Sequence, residues 1–156
     1  MFTAALDASG SSEHLVFVVA GFVAPHSAWE DFSKEWKGRL EQDGLSYFHM
    51  REYAHSVGPW REWKGDVGRR NRLYGDLMEI IKGNISRKFG SVVAPSKLNI
   101  IDQDLRKHFN ITEYSLAGRT IAADIRRWMT RDNISGPFST YIIRSLPNPA
   151  RISVGC

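Results

Sequence analysis

Phe2-Thr3-Ala4-Ala5-Leu6-Asp7, then Ala8-Ser9-Gly10-Ser11-Ser12, then the run His14–Ala24 ending at Pro25, is the stretch that decides the fold class. In the first six residues Phe2, Ala4 and Leu6 share one face while Thr3, Ala5 and Asp7 share the other, which is strand periodicity. The small residues that follow are turn chemistry. The run from His14 is rich in Val and Phe, and its length and β-branched content favour a buried strand over a helix. Two strands joined by so short a turn predict an antiparallel hairpin at the start of an α/β fold.

Beyond Pro25 the spacing turns helical. Ser27 followed by Glu30 has the form of a capping box, and Trp29, Phe32, Trp36 and Leu40 recur as one apolar stripe. Gly44 is placed to stop that helix. Leu45–Met50 reads as a short extended segment and Arg51–Gly65 as a loop centred on Gly58-Pro59. A second helix is predicted over Val67–Lys82, burying Leu73, Leu77, Ile80 and Ile81, with Gly83 as its stop. Lys88–Ala94 reads as a strand ended by Pro95, and Ile101–Phe109 as a short helix. Glu113–Arg131 reads as a long helix with Tyr114, Ile121, Ile125 and Trp128 on one face, and Phe138–Ile143 as a final strand. There is no internal repeat. Residues 1–143 are expected to form one domain. Arg144–Cys156, with two prolines, two arginines and no periodicity, is expected to be an atypical, poorly ordered tail; no Asp or Glu follows Asp132.

The bulk properties set limits. A chain of 156 residues is long enough for a core that folds alone. Its 42% hydrophobic and 24% charged residues are those of a globular protein. The longest apolar stretch, Leu15–Pro25, is interrupted by Gly21 and is too short for a membrane span. The N-terminus lacks the basic flank and small-residue cleavage site of a signal peptide. The single cysteine, Cys156, has no internal partner, so a reducing cytoplasm is the expected compartment. A net charge of +4 suits a polyanionic partner without requiring one.

Three groups of residues have the chemistry for a site. Asp7, next to a small-residue turn, reads either as a turn cap or as a carboxylate ligand projecting from the sheet. His49 and Glu52, three residues apart in Phe48-His49-Met50-Arg51-Glu52, read either as a ligand or proton-transfer pair or as a backbone-bonded histidine between inward-facing Phe48 and Met50. On the long helix, Glu113 and Asp124 either face a site or point to water. Arg119, Arg126, Arg127 and Arg131 there form a solvated face or a surface that follows a phosphate backbone. Of the five tryptophans, Trp29, Trp36 and Trp128 fall on apolar stripes; Trp60 and Trp63 fall in the predicted loop and remain open to a stacking role. No P-loop, dinucleotide-binding glycine pattern, zinc-type cysteine spacing or nucleophile elbow is present.

Leu6-Asp7-Ala8-Ser9-Gly10 and the Val18-Val19-Ala20-Gly21 strand resemble the opening of the bacterial family called domain of unknown function 3800. Trp29 to Trp36, Phe48-His49-Met50, the Trp60–Trp63 loop, the Leu77–Ile81 helix and Tyr114-Ser115-Leu116 before Trp128 are similar to its order, from Phe2 to Ile143. The resemblance implies a ribonuclease H-like fold: a mixed sheet with helices on it and acidic residues at the sheet. It implies metal-dependent phosphodiester hydrolysis with Asp7 as the ligand of Mg²⁺ or Mn²⁺ and Ser9, His49 and Glu52 as supporting residues. The sequence departs from that pattern twice. The family's Glu after the first Asp is Ala8, and the strand ending at Ile143 runs into Arg144-Ser145-Leu146-Pro147 rather than an acidic stretch. The expectation is therefore a nuclease-family chain that is inactive or incomplete, its reading frame truncated or shifted near Ile143. The alternatives are a non-catalytic nucleic-acid-binding module and a protein-interaction domain that self-associates through exposed sheet surface.

Overall fold

Alternation of apolar and small residues does build the opening strand, and the sheet grows outward from it. The structure, a computed structural model, describes residues 1–10 and 15–144. In chain order the elements are β1 (Phe2–Ser9), β2 (Phe17–Pro25), α1 (His26–Gln42), α2 (Met50–His55), a 3-10 turn (Gly58–Trp63) and α3 (Val67–Asn84). They continue with β3 (Arg87–Val93), α4 (Pro95–Leu98), α5 (Gln103–His108), α6 (Glu113–Arg131) and β4 (Phe138–Arg144). The expected tail lies outside the described residues apart from Arg144, as do Ser11 and Ser12 of the expected turn.

The chain divides into two compact units, one made of Met1–Val23 with the segment from Arg87 onward, the other of Ala24–Ser86. The first holds a four-stranded sheet of order β3-β2-β1-β4. β4 runs parallel to β1, with Phe138 opposite Phe2 and Ile143 opposite Asp7. β3 runs antiparallel to β2, with Val93 opposite Phe17. Gly10 lies against Phe17 and Gly21 against Leu6, so β2 recedes as β1 advances and the two are antiparallel, as the hairpin reading expects. At Gly21 the backbones approach so closely that a Cβ would stand 2.0 Å from the Ala5 carbonyl oxygen. A glycine in mid-strand is the residue for such an approach.

α6 forms because its sequence satisfies both ends and one face. Thr112 Oγ1 accepts from the Ser115 N–H at 3.0 Å, and Ser115 Oγ accepts from the Thr112 N–H at 2.9 Å, a closed capping box. Ala117, Ile121, Ile125 and Trp128 then bury one stripe against Ala4, Leu6, Val19 and Val23 of the sheet. Each large aliphatic side chain removed from water this way contributes about 1.5–3 kcal/mol. At the far end Asn133 takes a left-handed φ of 53° and the Ile134 N–H closes onto the Met129 carbonyl, which stops the helix.

The second unit is built on Trp60, Leu73 and Leu77, all within 1% of full burial, with Leu40, Leu45, Tyr53 and Trp63 around them. Gly44 stops α1 as expected: its φ is +69°, and the Leu45 and Gly44 N–H groups close onto Leu40 and Glu41. Asp43 ties α1 to α3 by accepting from Arg39 at 2.7 Å and from Arg69 at 3.0 Å.

Three expectations are corrected here. The Ser27 capping box does not form, because the extended backbone of Pro25 hands over directly to the helix at His26 and Ser27 is already inside its first turn. Arg51–Gly65 is not an open loop but α2 and the 3-10 turn; six-residue elements are too short to show a period. Its tryptophans are core, not stacking surfaces: Trp60 is 0% and Trp63 3% exposed. Finally, α3 runs through Gly83 to Asn84.

Candidate nucleic-acid interface and the acidic residues

Strand alternation places Asp7. Ala4 and Leu6 pack on the face covered by α6, so Asp7 falls on the opposite face, where it is exposed. It sits two residues before the end of β1, and its Oδ1 accepts the Ala8 N–H at 2.9 Å. His49 and Glu52 belong to the other unit. There the N-terminal turn of α2 brings them together, His49 Nδ1 lying 3.4 Å from Glu52 Oε1. Tyr47, which the sequence reading did not single out, donates its hydroxyl to Glu52 Oε2 at 2.8 Å. That bond, with burial and the carboxylate's charge behind it, raises the Tyr47 pKa above its ordinary value. Gly58, at a φ of +60°, lets the backbone pass beside the same carboxylate. The spacing of His49 and Glu52 was legible; Tyr47 was not, because only the turn before α2 decides which way it points.

A two-ion nuclease centre needs several carboxylates, since one cannot offset two dications. Among the described residues no three His, Cys, Asp or Glu side chains gather as a metal-ion site. Among the described residues the donor set around Asp7 therefore does not fit such a centre.

What the first unit does assemble is a basic cleft of about 1080 Å³ between β3 and α6. Among the described residues five cations line it, Arg87 and Lys88 from the strand and Arg126, Arg127 and Arg131 from the helix, against one carboxylate, Asp124. Phe89 and Trp128, in ring contact at 5.8 Å, form its apolar base. The exposed edge of β3 brings Lys88 to the rim, while Arg87 lies over the Trp128 ring. Arg126 and Thr130 also line an adjoining cleft of about 410 Å³. Helical spacing had already put Arg126, Arg127 and Arg131 on one surface. Arg119 leaves that group, since its guanidinium donates to the Phe109 carbonyl at 2.9 Å. Arg87 and Lys88 join it through the sheet order, which no local pattern in the sequence encodes.

Carboxylates hold part of this charge. Asp124 pairs with Arg127. Asp132, fixed as the residue that caps α6, accepts from Arg131 at 2.7 Å and lies 3.8 Å from Arg87. The Arg131 hydrogen bond outweighs a small burial effect and, with the charges of Arg131 and Arg87 and a bond from the Trp128 side chain, holds the Asp132 carboxyl below the usual range. Among the described residues Lys88 and Arg126 have no carboxylate partner. No helix of the described residues is long and apolar enough to cross a membrane. No family model, no curated protein and no solved structure matches the chain.

Proposed function

We propose that this chain is a nucleic-acid-binding module that engages the phosphate backbone through the β3–α6 cleft and does not cut it. The observation that carries the reading is the concentration, among the described residues, of five cations on one open cleft lined by a single carboxylate. Arginine forks and lysines on such a surface contact phosphate oxygens and fix register without reading bases. The apolar base contributes packing rather than stacking, because Trp128 is only 7% exposed.

A kinship with ribonuclease H-like nucleases of the domain of unknown function 3800 family belongs to the same proposal. What supports it is the ordered set of sequence features from Phe2 to Ile143, together with a mixed sheet in which the Asp7-bearing strand lies between two others. Asp7 stands on the sheet face away from α6, so a backbone held between β3 and α6 is not presented to its carboxylate.

The test is fluorescence anisotropy with short labelled DNA and RNA strands, titrated between roughly 50 and 200 mM salt, with Mn²⁺ added in a parallel series. The expected result is binding that weakens as salt rises, intact strands after incubation with Mn²⁺, and no change in Asp7→Asn. Absence of binding at low salt refutes the reading. Mn²⁺-dependent cleavage that disappears in Asp7→Asn refutes the statement that the module does not cut.

A further inference from the structure

The cations of the cleft are not equivalent. Arg127 is held by Asp124, and Arg131 and Arg87 both converge on Asp132. Lys88 and Arg126 border the same cleft with no carboxylate partner among the described residues. A carboxylate and a phosphodiester compete for the same guanidinium donors, because each offers two oxygens of like charge that accept from the planar fork.

From this division we infer that Asp124 and Asp132 act as internal phosphate surrogates, occupying three of the cleft's five cations and leaving Lys88 and Arg126 as the seat where a nucleic-acid strand first engages. The inference rests on the proposed nucleic-acid binding and adds its regulation: the two carboxylates set how many phosphates the cleft can take. The placement of Asp132 is not accidental to α6. It follows from the left-handed Asn133 and the Ile134-to-Met129 closure that stop the helix, so the carboxylate is held beside Arg131 by backbone geometry. Each surrogate is also supplied from the chain that carries its arginine, Asp124 three residues before Arg127 and Asp132 next to Arg131. The resting pairs therefore re-form as soon as a strand leaves. Neutralising the surrogates frees cations without adding any.

Counterion release turns this into a measurement. For a single strand, log affinity falls with log salt by about 0.7 per phosphate contact. Two contacts predict about a sevenfold loss across a fourfold rise in salt, and five predict about a hundredfold loss. The probe is a labelled oligothymidylate, read by anisotropy between roughly 50 and 200 mM salt. The wild-type chain is expected to show the shallow dependence. The double variant Lys88→Gln, Arg126→Gln is expected to keep only weak binding that changes less than about twofold with salt. Asp124→Asn, Asp132→Asn is expected to bind tighter at low salt and to show the steep dependence. Adding Arg127→Gln and Arg131→Gln to that background leaves three contacts and brings the loss back to about twentyfold. Asn preserves hydrogen bonding at both positions, and each single carboxylate variant gives an intermediate slope if the pair acts as described; thermal melts confirm that the compared chains are folded. Unchanged affinity and slope in the folded asparagine variants overturns the inference while binding lost in Lys88→Gln, Arg126→Gln leaves the cleft reading standing. If neither the wild type nor the asparagine variants bind at low salt, the nucleic-acid reading itself falls.

Discussion

Gly21→Ala should be among the most damaging single-methyl additions available to this fold. The added Cβ would sit 2.0 Å from the Ala5 carbonyl oxygen and 2.7 Å from Leu6 Cα, both backbone atoms. Reaching the 3.4 Å of ordinary contact means parting β1 from β2 by about 1.4 Å. A ladder hydrogen bond near 2.9 Å does not survive that displacement, and each one lost costs about 0.5–1.5 kcal/mol. The strands flank Leu6, Val19 and Val23, all within 1% of full burial, so their packing against α6 loosens as well, adding about 1–3 kcal/mol. Together the loss is about 3–5 kcal/mol, a large part of the roughly 5–15 kcal/mol that holds a domain. Gly90→Ala is the internal control. Its Cβ would meet only the Ala20 side chain at 3.5 Å and the Val19 carbonyl at 3.7 Å, and its φ is not in the left-handed region, so it should be neutral or stabilising by up to about 1 kcal/mol. Urea unfolding followed by Trp128 fluorescence, with the other tryptophans replaced, reads the sheet-bearing unit. Hydrogen exchange should show β1 and β2 amides losing protection in Gly21→Ala alone. Equal effects of the two substitutions, or a Gly21→Ala loss below about 1 kcal/mol, refute the close-approach account.

Trp60→Phe should cost well under the roughly 3–5 kcal/mol of Trp60→Ala, because the buried Trp60 Nε1 has no hydrogen-bond partner among the described residues and removing an orphan donor recovers about 1–3 kcal/mol; equal urea midpoints for the two variants would contradict this. Asp43→Asn should destabilise the helical unit by about 1–3 kcal/mol, since it weakens the bonds to Arg69 and to Arg39, whose side chain is only 12% exposed. Burial raises the Asp43 pKa, but the hydrogen bonds and charges of those two arginines outweigh it, so the folded value lies below the ordinary one. The Asp43 contribution is therefore complete above the unfolded pKa and is lost as pH falls through the folded value; acid titration of stability should steepen in the wild type relative to Asp43→Asn below about pH 4. Thr112→Ala should lower the stability of α6 by about 1 kcal/mol through loss of the capping box, read as a shift in thermal midpoint that Thr112→Ser does not produce.

The parts of this fold that local chemistry controls were legible before the structure, and the parts that assembly controls were not. α6 matches its expected bounds, Glu113–Arg131, because a cap, a four-residue burial rhythm and a stop all lie within one stretch. β1 to β4 were each expected within a few residues for the same kind of reason. By contrast, α2 and the 3-10 turn are stabilised by what they bury, Tyr53, Trp60 and Trp63, and Gly58-Pro59 at their junction reads locally as a turn. Ser27 shows the converse failure: a correct capping motif is overruled because Pro25 takes the cap position and the helix starts two residues too early for it. Of the site residues, His49 and Glu52 meet because helical spacing brings i and i+3 together. The cleft was half visible, as arginines on one helix, since the pairing that sets β3 beside β2 and under α6 joins residues far apart in the chain.

The placement of Asp7 bears on how the resemblance to a nuclease family relates to the cleft. Alternation along β1 fixes two sides: Leu6 looks toward α6, and Asp7 away from it. In the parallel register the residue opposite Asp7 on β4 is Ile143, and the residues that alternate with it along β1 are Ala5 and Thr3. No carboxylate stands at any of these positions, so on its own face the strand offers one charged ligand where charge balance for two dications asks for several. The basic cleft owes nothing to that face. Its cations come from β3 and from the last turns of α6, and its acids, Asp124 and Asp132, are committed to arginines. The cations of the proposed phosphate-binding cleft and the Asp7 carboxylate thus belong to different sides of the sheet-bearing unit. A change that abolished one would leave the other's residues in place, which is why binding and cleavage are separable measurements on this chain.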